Sequence, residues 1–388
     1  MGVELRPFGV RCNIQCQYCY QDPTRQAASR VPDYDMASMK AALREEGQPF
    51  SLFGGEPLLL PIGDLEELWA FGLEQFGKNS VQTNGTLIGD DHYRLFAKYR
   101  VHVGLSVDGP EELNDVRWAG TLESTRAATR RSLDALAELC SRKMTPSVIV
   151  TLSRCNATRD RLPRLLEWLV DLDERGVRSV RLHLLETESA DIATRYSLTD
   201  EENITALAAC RQLQRHLRNV RFDIFTDLDR LLRGQDGSVT CTFAGCDPYT
   251  TRAVRGIEGQ GQRSNCGRTN KDGVEFEKAD YAGYERYMAL YATPLEHGGC
   301  QDCRFFLFCK GQCPGTAIDG DWRNRTVHCA VWFALFEAAE AELEARGARS
   351  LSKSRRLPLL ERQMISHWVR GRNPQIAMVV EECRTHAG

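Results

Sequence analysis

The sequence predicts an α/β protein in which a partial (β/α)6 TIM-like barrel is followed by an irregular cysteine-rich domain and a helical C-terminal tail. Up to about residue 225, short apolar runs alternate with amphipathic stretches of helical period, which is typical of βα units around a parallel sheet. Beyond that point the helical period fades and cysteines accumulate, and the residues after 348 are rich in arginine. We therefore expect domains at residues 1–225, 226–348 and 349–388.

Six short apolar runs predict the strands of the barrel. They cover residues 3–10, 50–53, 80–83, 101–107, 147–152 and 180–184. Six strand-helix units fit an open barrel, in which functional groups follow the C-terminal ends of the strands. The loops after these strands are therefore where we expect a site.

Composition excludes several classes of function. A chain of 388 residues can form two or three domains with sizeable cores. Its formal net charge of -3 argues against nucleic-acid binding, which calls for a strongly basic surface. No apolar run approaches the length of a membrane span and no secretion signal is visible, so we expect a soluble, cytoplasmic protein without a membrane partner.

The sequence contains 15 cysteines, which is a heavy load for a protein without a secretion signal. Metal ligation is therefore a better interpretation than a disulfide framework. Three cysteines lie near the start and eight fall between residues 241 and 329. Those that stand apart are interpreted as buried or incidental thiols: Cys140, Cys155, Cys210 and Cys383.

The loop after the first predicted strand has the spacing Cys12-x3-Cys16-x2-Cys19, with Tyr18 before the last cysteine. Three thiolates are one too few for a closed zinc tetrahedron, whereas a [4Fe–4S] cluster with three cysteine ligands keeps one iron open to another ligand. A zinc knuckle is the alternative interpretation of this spacing.

This spacing resembles the signature of radical S-adenosylmethionine (SAM) enzymes. The resemblance implies that Cys12, Cys16 and Cys19 hold a [4Fe–4S] cluster whose open iron binds SAM, and that reductive cleavage gives a 5′-deoxyadenosyl radical. After the second predicted strand comes a segment that resembles the family's GGE motif, which holds the methionine amine: Gly54, Gly55, Glu56 and Pro57.

Polar residues after the fourth and fifth predicted strands are further candidates for cofactor binding. Ser106, Asp108 and Arg117 resemble the S-x-D-G-P…R stretch of peptide-modifying members, although a plain turn is the alternative. Arg154 and Asn156 stand where related enzymes place Arg and Asn near the cofactor, and an ordinary surface loop is the other possibility. Glu186 and Glu188 follow the sixth strand and could belong to the site or to the surface.

The second group of cysteines has the pattern Cys300-x2-Cys303-x5-Cys309-x3-Cys313, which resembles the motif of the SPASM domain together with Cys246, Gly261-x4-Cys266 and Cys329. By this resemblance to sulfatase-maturing members, two closed auxiliary [4Fe–4S] clusters are expected. The first would be held by Cys241, Cys246, Cys266 and Cys313, and the second by Cys300, Cys303, Cys309 and Cys329. Zinc ribbons are the alternative, because thiolates also bind zinc.

Four polar residues of the cysteine-rich region are candidates for removing a proton during the reaction: Asp247, Asp319, Asp321 and His328. Loops that satisfy only their own turns are the alternative. One departure from the sulfatase maturases is that the position after the third ligand of the first auxiliary cluster is Gly267, where those enzymes carry an aspartate.

The resemblance implies an oxidoreductase that acts on a ribosomally made precursor peptide. A side-chain crosslink, either carbon–carbon or thioether, is the expected product. Backbone excision, epimerisation and formylglycine formation are the enzymatic alternatives, and a zinc-binding scaffold is the alternative without catalysis. A flavodoxin or ferredoxin as electron donor, and a separate leader-recognition protein, are the partners that this interpretation implies.

Overall fold

The computed structural model describes residues 2–21, 33–187, 189–248, 250, 254–269 and 281–385. Its sheet contains nine strands. They are β1 (Val3–Arg6), β2 (Phe50–Leu52), β3 (Asn79–Thr83), β4 (Val101–Ser106), β5 (Ser147–Leu152), β6 (Ser179–Leu184), β7 (Arg221–Phe222), β8 (Arg255–Glu258) and β9 (Arg263–Ser264).

The strand order is β7-β6-β5-β4-β3-β2-β1-β8-β9, and every pair is parallel except β8 with β9. The two terminal strands of this order are β7 and β9, so within the described residues the sheet is open. The prediction of an α/β fold around a parallel sheet is confirmed. Strands β7, β8 and β9 were not predicted.

β1 ends at Arg6, four residues earlier than predicted. Pro7 has no N–H group to donate to a neighbouring strand, and Gly9 adopts a positive φ of 54°. The Gly9 N–H then donates to the Arg6 carbonyl in a turn. The chain therefore leaves the sheet before the cysteine loop, which becomes free to curl over the ends of the strands.

Helices connect the strands of the sheet. The α-helices are Met36–Glu46, Ile62–Phe76, Asp90–Lys98, Leu122–Ser141, Leu162–Glu174, Ala190–Tyr196, Asp200–Gln214, Asp223–Leu232, Glu285–Ala292, Phe306–Cys309, Cys329–Ala345, Leu357–Val369 and Ile376–Thr385. Side-chain N-caps start several of them, as in the bonds from Ser38 N to Asp35 and from Ser124 N to Thr121. None of the helices in the described ranges is both long and apolar enough to cross a membrane.

Alternation along the strands divides the residues of the sheet between two faces. One face is apolar and buried, with Leu5, Leu52, Leu105, Val150 and Leu182 on five different strands. The other face is polar and partly accessible, and its members from β1, β3, β4, β5 and β6 include Glu4, Gln82, Ser106, Thr151 and His183. The side chains of the polar face are therefore not part of the apolar core and could contact a ligand.

The chain divides into two compact units. The barrel unit contains residues 2–223 and 255–276, and the cysteine-rich unit contains residues 224–254 and 277–388. Residues 255–276 belong to the barrel unit because β8 pairs in parallel with β1. The expected domain limits of 1–225, 226–348 and 349–388 remain a prediction, and the compact units differ from them at this segment and at the C-terminal tail.

The C-terminal tail packs within the cysteine-rich unit. Trp368, in the tail helix Leu357–Val369, is 1% exposed and lies 5.0 Å from Tyr287 and 6.4 Å from Tyr284 between ring centroids. Burial of large aromatic rings contributes strongly to a core. The tail is therefore a part of that unit's core.

Candidate active site

The cysteine loop follows β1 and brings its three thiols together. Burial raises the pKa of Cys16 to about 12, and repulsion from Cys19 and Cys12 contributes in the same direction, while Arg117 opposes it. The Arg117 Nη1 atom lies 4.0 Å from the Cys16 sulfur, and the Cys19 N–H donates to the Cys16 carbonyl at 3.0 Å. A bound metal would keep such a buried thiolate deprotonated at neutral pH.

The two glycines of the GGE segment let that segment touch the cysteine loop. The Gly55 N–H donates to the Gly9 carbonyl at 2.9 Å, and the Glu56 N–H donates to the Arg11 carbonyl at 2.8 Å. A Cβ atom at Gly55 would lie 1.9 Å from the Arg11 oxygen, and one at Gly54, where φ is +120°, would lie 2.4 Å from the Gly9 oxygen. Only glycine fits this close backbone contact.

The Glu56 carboxylate lies beside this contact and is buried. It is 1% exposed and accepts hydrogen bonds from Leu58 N at 3.0 Å, from the Thr83 hydroxyl at 2.7 Å and from Asn84 N at 2.8 Å. Burial nevertheless raises the pKa of Glu56 to about 7. No lysine, arginine or histidine within the described residues forms an ion pair with it, so a ligand amine would find a ready acceptor here. Pro57 starts the short 3-10 turn Pro57–Leu59 directly behind.

Asp108 is fully occupied by protein groups. It is 0% exposed and accepts hydrogen bonds from the Tyr18 hydroxyl at 2.6 Å, from Arg117 at 2.9 and 3.1 Å, and from Thr151 N at 2.8 Å. Asn156, also 0% exposed, donates to the Asp108 carbonyl at 2.9 Å. Four predicted site residues thus meet in one network, which ties the cysteine loop to the ends of β4 and β5.

Ser106 and Arg154 lie in different surroundings. Ser106 is the last residue of β4, on the polar face, where its hydroxyl accepts a hydrogen bond from Gln82 Nε2 at 2.8 Å. Arg154 has a side chain that is 43% exposed, and it pairs with Glu202 at 3.4 Å. This exposed ion pair explains the conformation of Arg154, and its role in cofactor binding stays a prediction.

The residues of this site fit a SAM-bound cluster. They offer three adjacent thiolates, which are the preferred ligands of iron–sulfur clusters, and a buried carboxylate without a cation. Across the described ranges no three His, Cys, Asp or Glu residues are spaced for a single metal ion. In a cluster each cysteine-bound iron has its own thiolate, which places the thiolates farther apart than around a single ion, so this finding does not bear on a cluster.

The cysteine-rich unit gathers four of its predicted ligands. Burial raises the pKa of Cys309 well above its usual value, and repulsion from Cys300, Cys329 and Cys303 raises it further. Burial likewise raises the pKa of Cys300 to about 12, and repulsion from Cys303 and Cys329 contributes in the same direction. These are the cysteines expected to hold the second auxiliary cluster, and they belong to one compact unit.

The buried Arg286 holds the loop between Cys309 and Cys313. It is 0% exposed and donates to the carbonyls of Lys310, Gly311, Trp322 and Asn324 at 2.6 to 3.2 Å. Lys310, also 0% exposed, donates to the Phe243 carbonyl at 2.7 Å. These cations satisfy carbonyls that an irregular loop would otherwise bury without partners.

The expected ligands of the first auxiliary cluster are spread over both units. Cys246 and Cys313 are buried, and Cys241 lies with them in the cysteine-rich unit. Cys266 follows β9 in the barrel unit. Their joint ligation of one cluster remains a prediction.

The four candidates for proton removal have different environments. Asp247 is 0% exposed and accepts from Thr250 N at 3.2 Å. Asp321 is held by Arg323, whose hydrogen bonds lower the pKa of that carboxyl. Asp319 is exposed with a φ of 57°, and His328 precedes the helix Cys329–Ala345. Their role in removing a proton stays a prediction.

Sequence reasoning missed a polar group on the barrel unit's inner strands. His183 in β6 accepts a hydrogen bond at Nδ1 from Arg268, which also donates to Glu186 at 2.7 Å. Glu4 in β1 is close enough to Arg268 and Arg6 for both to lower its pKa, although burial raises it on balance. Glu4 could have been noticed in the sequence, because a charged residue within a predicted strand is unusual. Glu188 lies outside the described residues.

Comparisons with known proteins identify a family match and relatives of this chain. Residues 7–183 match the model of the radical SAM superfamily. The serine-type anaerobic sulfatase-maturating enzyme of Klebsiella aerogenes is 32% identical over 146 residues, which span 34% of this chain and only 36% of that enzyme. The cysteine-type anaerobic sulfatase-maturating enzyme of Clostridium perfringens is 24% identical over 347 residues, which span 81% of this chain and 88% of that enzyme.

Solved structures share the fold at low identity. The structure of anSMEcpe with bound AdoMet and Cp18Cys peptide has a TM-score of 0.65 at 18% identity, covering 89% of this chain and 98% of that one. Streptococcus suis SuiB bound to precursor peptide SuiA has a TM-score of 0.54 at 17% identity, covering 85% and 76%. We conclude that the chain contains a radical SAM domain and is homologous to the anaerobic sulfatase-maturating enzymes.

Proposed function

We propose that this protein is a radical SAM peptide maturase that oxidatively modifies a ribosomally made precursor peptide. The observation that carries the proposal is the meeting of the cysteine loop with the GGE segment, where adjacent thiols and the buried, cation-free Glu56 carboxylate lie together. Homology to enzymes that mature other proteins supports an activity on a peptide chain.

The chain's own residues would divide the work as follows. Cys12, Cys16 and Cys19 would hold a [4Fe–4S] cluster, and Glu56 would accept a hydrogen bond from the SAM amine. The bound cluster and SAM together supply a radical that abstracts hydrogen from an unactivated carbon. The Asp108 network would keep the cysteine loop in place, because Tyr18 and Arg117 both end on that carboxylate.

Our first choice of reaction is a side-chain crosslink, carbon–carbon or thioether. Two auxiliary clusters with closed ligand sets would suit it, because forming a crosslink removes two hydrogens and needs an electron acceptor. The gathering of Cys300, Cys303, Cys309 and Cys329 supports the second of these clusters. Backbone excision is the main alternative, and epimerisation is a weaker one since it involves no net oxidation.

Formylglycine formation is a second candidate, favoured by the similarity to anaerobic sulfatase-maturating enzymes. The residue after Cys266 argues against it. A Cβ atom at Gly267 would lie 3.1 Å from Tyr20, 3.1 Å from Gln21 and 3.2 Å from Arg6. A carboxylate side chain at this position would therefore have to displace its neighbours, and glycine provides no base.

The partners follow from the proposed chemistry. A precursor peptide is the substrate, and a flavodoxin or ferredoxin would deliver the electron that starts each turnover. A separate leader-recognition protein is a further proposed partner. A soluble cytoplasmic location fits such partners.

Mass spectrometry of peptides encoded beside the gene, co-expressed with the protein at low oxygen, tests the proposal. A loss of about two mass units per modified motif indicates a crosslink, and a larger loss indicates excision. Metal and sulfide analysis of the reconstituted protein tests the zinc-scaffold alternative, because three clusters require about twelve irons and twelve sulfides. Protein that holds only zinc and modifies no peptide would refute the proposed function.

A further inference from the structure

Several buried polar atoms without partners are concentrated in one part of the barrel unit. The side chains involved are Glu4, Arg6, Gln21, His183 and Asn265, which we call the orphan cluster. Among the residues that the structure describes, no hydrogen-bond partner reaches Glu4 Oε2, Arg6 Nε, Gln21 Nε2 or His183 Nε2, nor either side-chain amide atom of Asn265. Such atoms are rare in proteins because a buried polar group without a partner loses its hydrogen bonds to water and gains none in return. Their concentration indicates that a polar ligand completes them.

The members of the orphan cluster are neighbours in space. Arg6 donates to the Asn265 carbonyl at 2.7 Å and pairs with Glu258 at 2.6 Å. The position of a Gly267 Cβ atom is 3.1 Å from Gln21 Nε2 and 3.2 Å from Arg6. These contacts join residues near the start of the chain to the segment that follows β9.

Arg268 links the other two members. It donates to His183 directly, and its charge acts on Glu4, as does the charge of Arg6. Arg6, Gln21 and Asn265 are 3%, 6% and 1% exposed, so bulk water does not compensate their polar atoms.

The hydrogen bonding of His183 defines which proton it carries. A guanidinium group can only donate, so Nδ1 of His183 must be the acceptor of the bond from Arg268. Burial together with Arg268 and two other arginines keeps the pKa of His183 well below its usual value, and the ring is therefore neutral. The proton is on Nε2, which makes the orphaned Nε2–H a hydrogen-bond donor and excludes it as a base.

The orphan cluster thus offers donors and acceptors side by side. His183, Arg6 and Gln21 present donors, Glu4 presents an acceptor, and the Asn265 amide presents one of each. A phosphate or carboxylate only accepts, and an ammonium or guanidinium only donates, so neither class satisfies the set. An amide group does, because it carries an N–H beside a C=O.

We propose that the orphan cluster binds the backbone amides of an extended segment of the peptide substrate, with His183 Nε2–H donating to a peptide carbonyl and Glu4 accepting from a peptide N–H. This inference rests on the proposed function and specifies where the peptide lies. Alternation places Glu4 and His183 on the polar face of the sheet, together with Ser106. The cysteine loop begins after Arg6, where β1 ends. A peptide held there lies on the face that the apolar core leaves open.

Paired variants of His183 test the donor. His183→Asn keeps an acceptor near the Nδ1 position for Arg268 but loses the Nε2–H, whereas His183→Gln keeps a donor near the Nε2 position. Glu4→Met removes the acceptor with little change of volume. His102→Asn on β4 is the matched control, because His102 is exposed and its ring contacts the Ser147 hydroxyl at 3.1 Å.

The probes are fluorescein-labelled synthetic peptides that tile the short open reading frames flanking the gene, titrated into anaerobically reconstituted holoprotein. We expect His183→Asn and Glu4→Met each to weaken binding of the tightest peptide about three- to tenfold, and His183→Gln and His102→Asn to stay within about twofold. Cleavage of SAM without peptide should remain at the wild-type rate in His102→Asn, and it is measured in the other three variants to check that the cofactor site is intact.

The results distinguish a failure of this inference from a failure of the proposed function. If His183→Asn binds the peptide as tightly as wild type, or if His183→Gln loses as much affinity as His183→Asn, the assignment of the donor is wrong while the proposed function stands. If wild-type holoprotein cleaves SAM but binds none of the tiled peptides, the proposed function fails, and the inference fails with it. If Glu4→Met fails to fold, the His183 pair still decides.

Discussion

Glu56 makes a testable link between protonation and cofactor binding. Its carboxylate is 1% exposed and has a pKa of about 7, because burial outweighs three hydrogen bonds. An ionised carboxylate accepts a hydrogen bond from an amine more strongly than a protonated one. Since the pKa is raised, the ionised form is scarce below pH 7 and dominates above it. We therefore expect the contribution of Glu56 to SAM affinity to grow as the pH rises through 7.

The magnitude follows from the ionised fraction. With a pKa of about 7, about 9% of Glu56 is ionised at pH 6 and about 91% at pH 8. The affinity ratio between wild type and Glu56→Gln should consequently rise about tenfold over this range. At pH 8 the variant should bind SAM about 10- to 100-fold more weakly, as expected for loss of a hydrogen bond to a charged group.

Equilibrium dialysis of radiolabelled SAM against anaerobically reconstituted protein measures this ratio. Because titration of the SAM amine affects both proteins equally, it cancels. Glu66→Gln, in the helix Ile62–Phe76 with a side chain that is 41% exposed, is the control and should bind SAM as wild type does. A ratio that does not change between pH 6 and pH 8 would refute the role assigned to the Glu56 carboxylate.

Three further variants test the architecture around the site. Gly55→Ala should abolish SAM cleavage and lower the soluble yield, because its Cβ would lie 1.9 Å from the Arg11 oxygen. The control Gly63→Ala should leave both unchanged, because no atom lies within 4 Å of its Cβ position. Normal activity in Gly55→Ala would contradict the close contact. Cys300→Ala should reduce iron content from about twelve to about eight per chain, and retention of all the iron would show that Cys300 is no ligand. Arg286→Met should lower the free energy of unfolding by at least about 1–3 kcal/mol in chemical denaturation, because four buried carbonyls lose their donor. A change below about 1 kcal/mol would mean that water replaces the donor.

Local patterns in the sequence were enough for much of the architecture. Alternation and helical period predicted β2 to β6 within about two residues of each end, because side-chain direction repeats every two residues in a strand. The contact between the cysteine loop and Gly54-Gly55-Glu56 was also foreseeable, since neighbouring parallel strands bring their following loops to the same edge. Short spacings such as Cys12-x3-Cys16-x2-Cys19 bring thiols together whatever the rest of the chain does.

Long-range pairing decided the remainder. Strand β8 begins 252 positions after β1 in the chain, as the pairing of Val3 with Arg255 shows, and no local period encodes that contact. With this pairing, Cys266 and Arg268 lie in the barrel unit, and Arg268 contacts His183 in the orphan cluster. It likewise took the three-dimensional structure to show that Asp108 is saturated by Tyr18 and Arg117, and that Arg154 pairs with Glu202 at the surface. Hydrogen-bond partners depend on the tertiary structure and cannot be predicted from residue types alone.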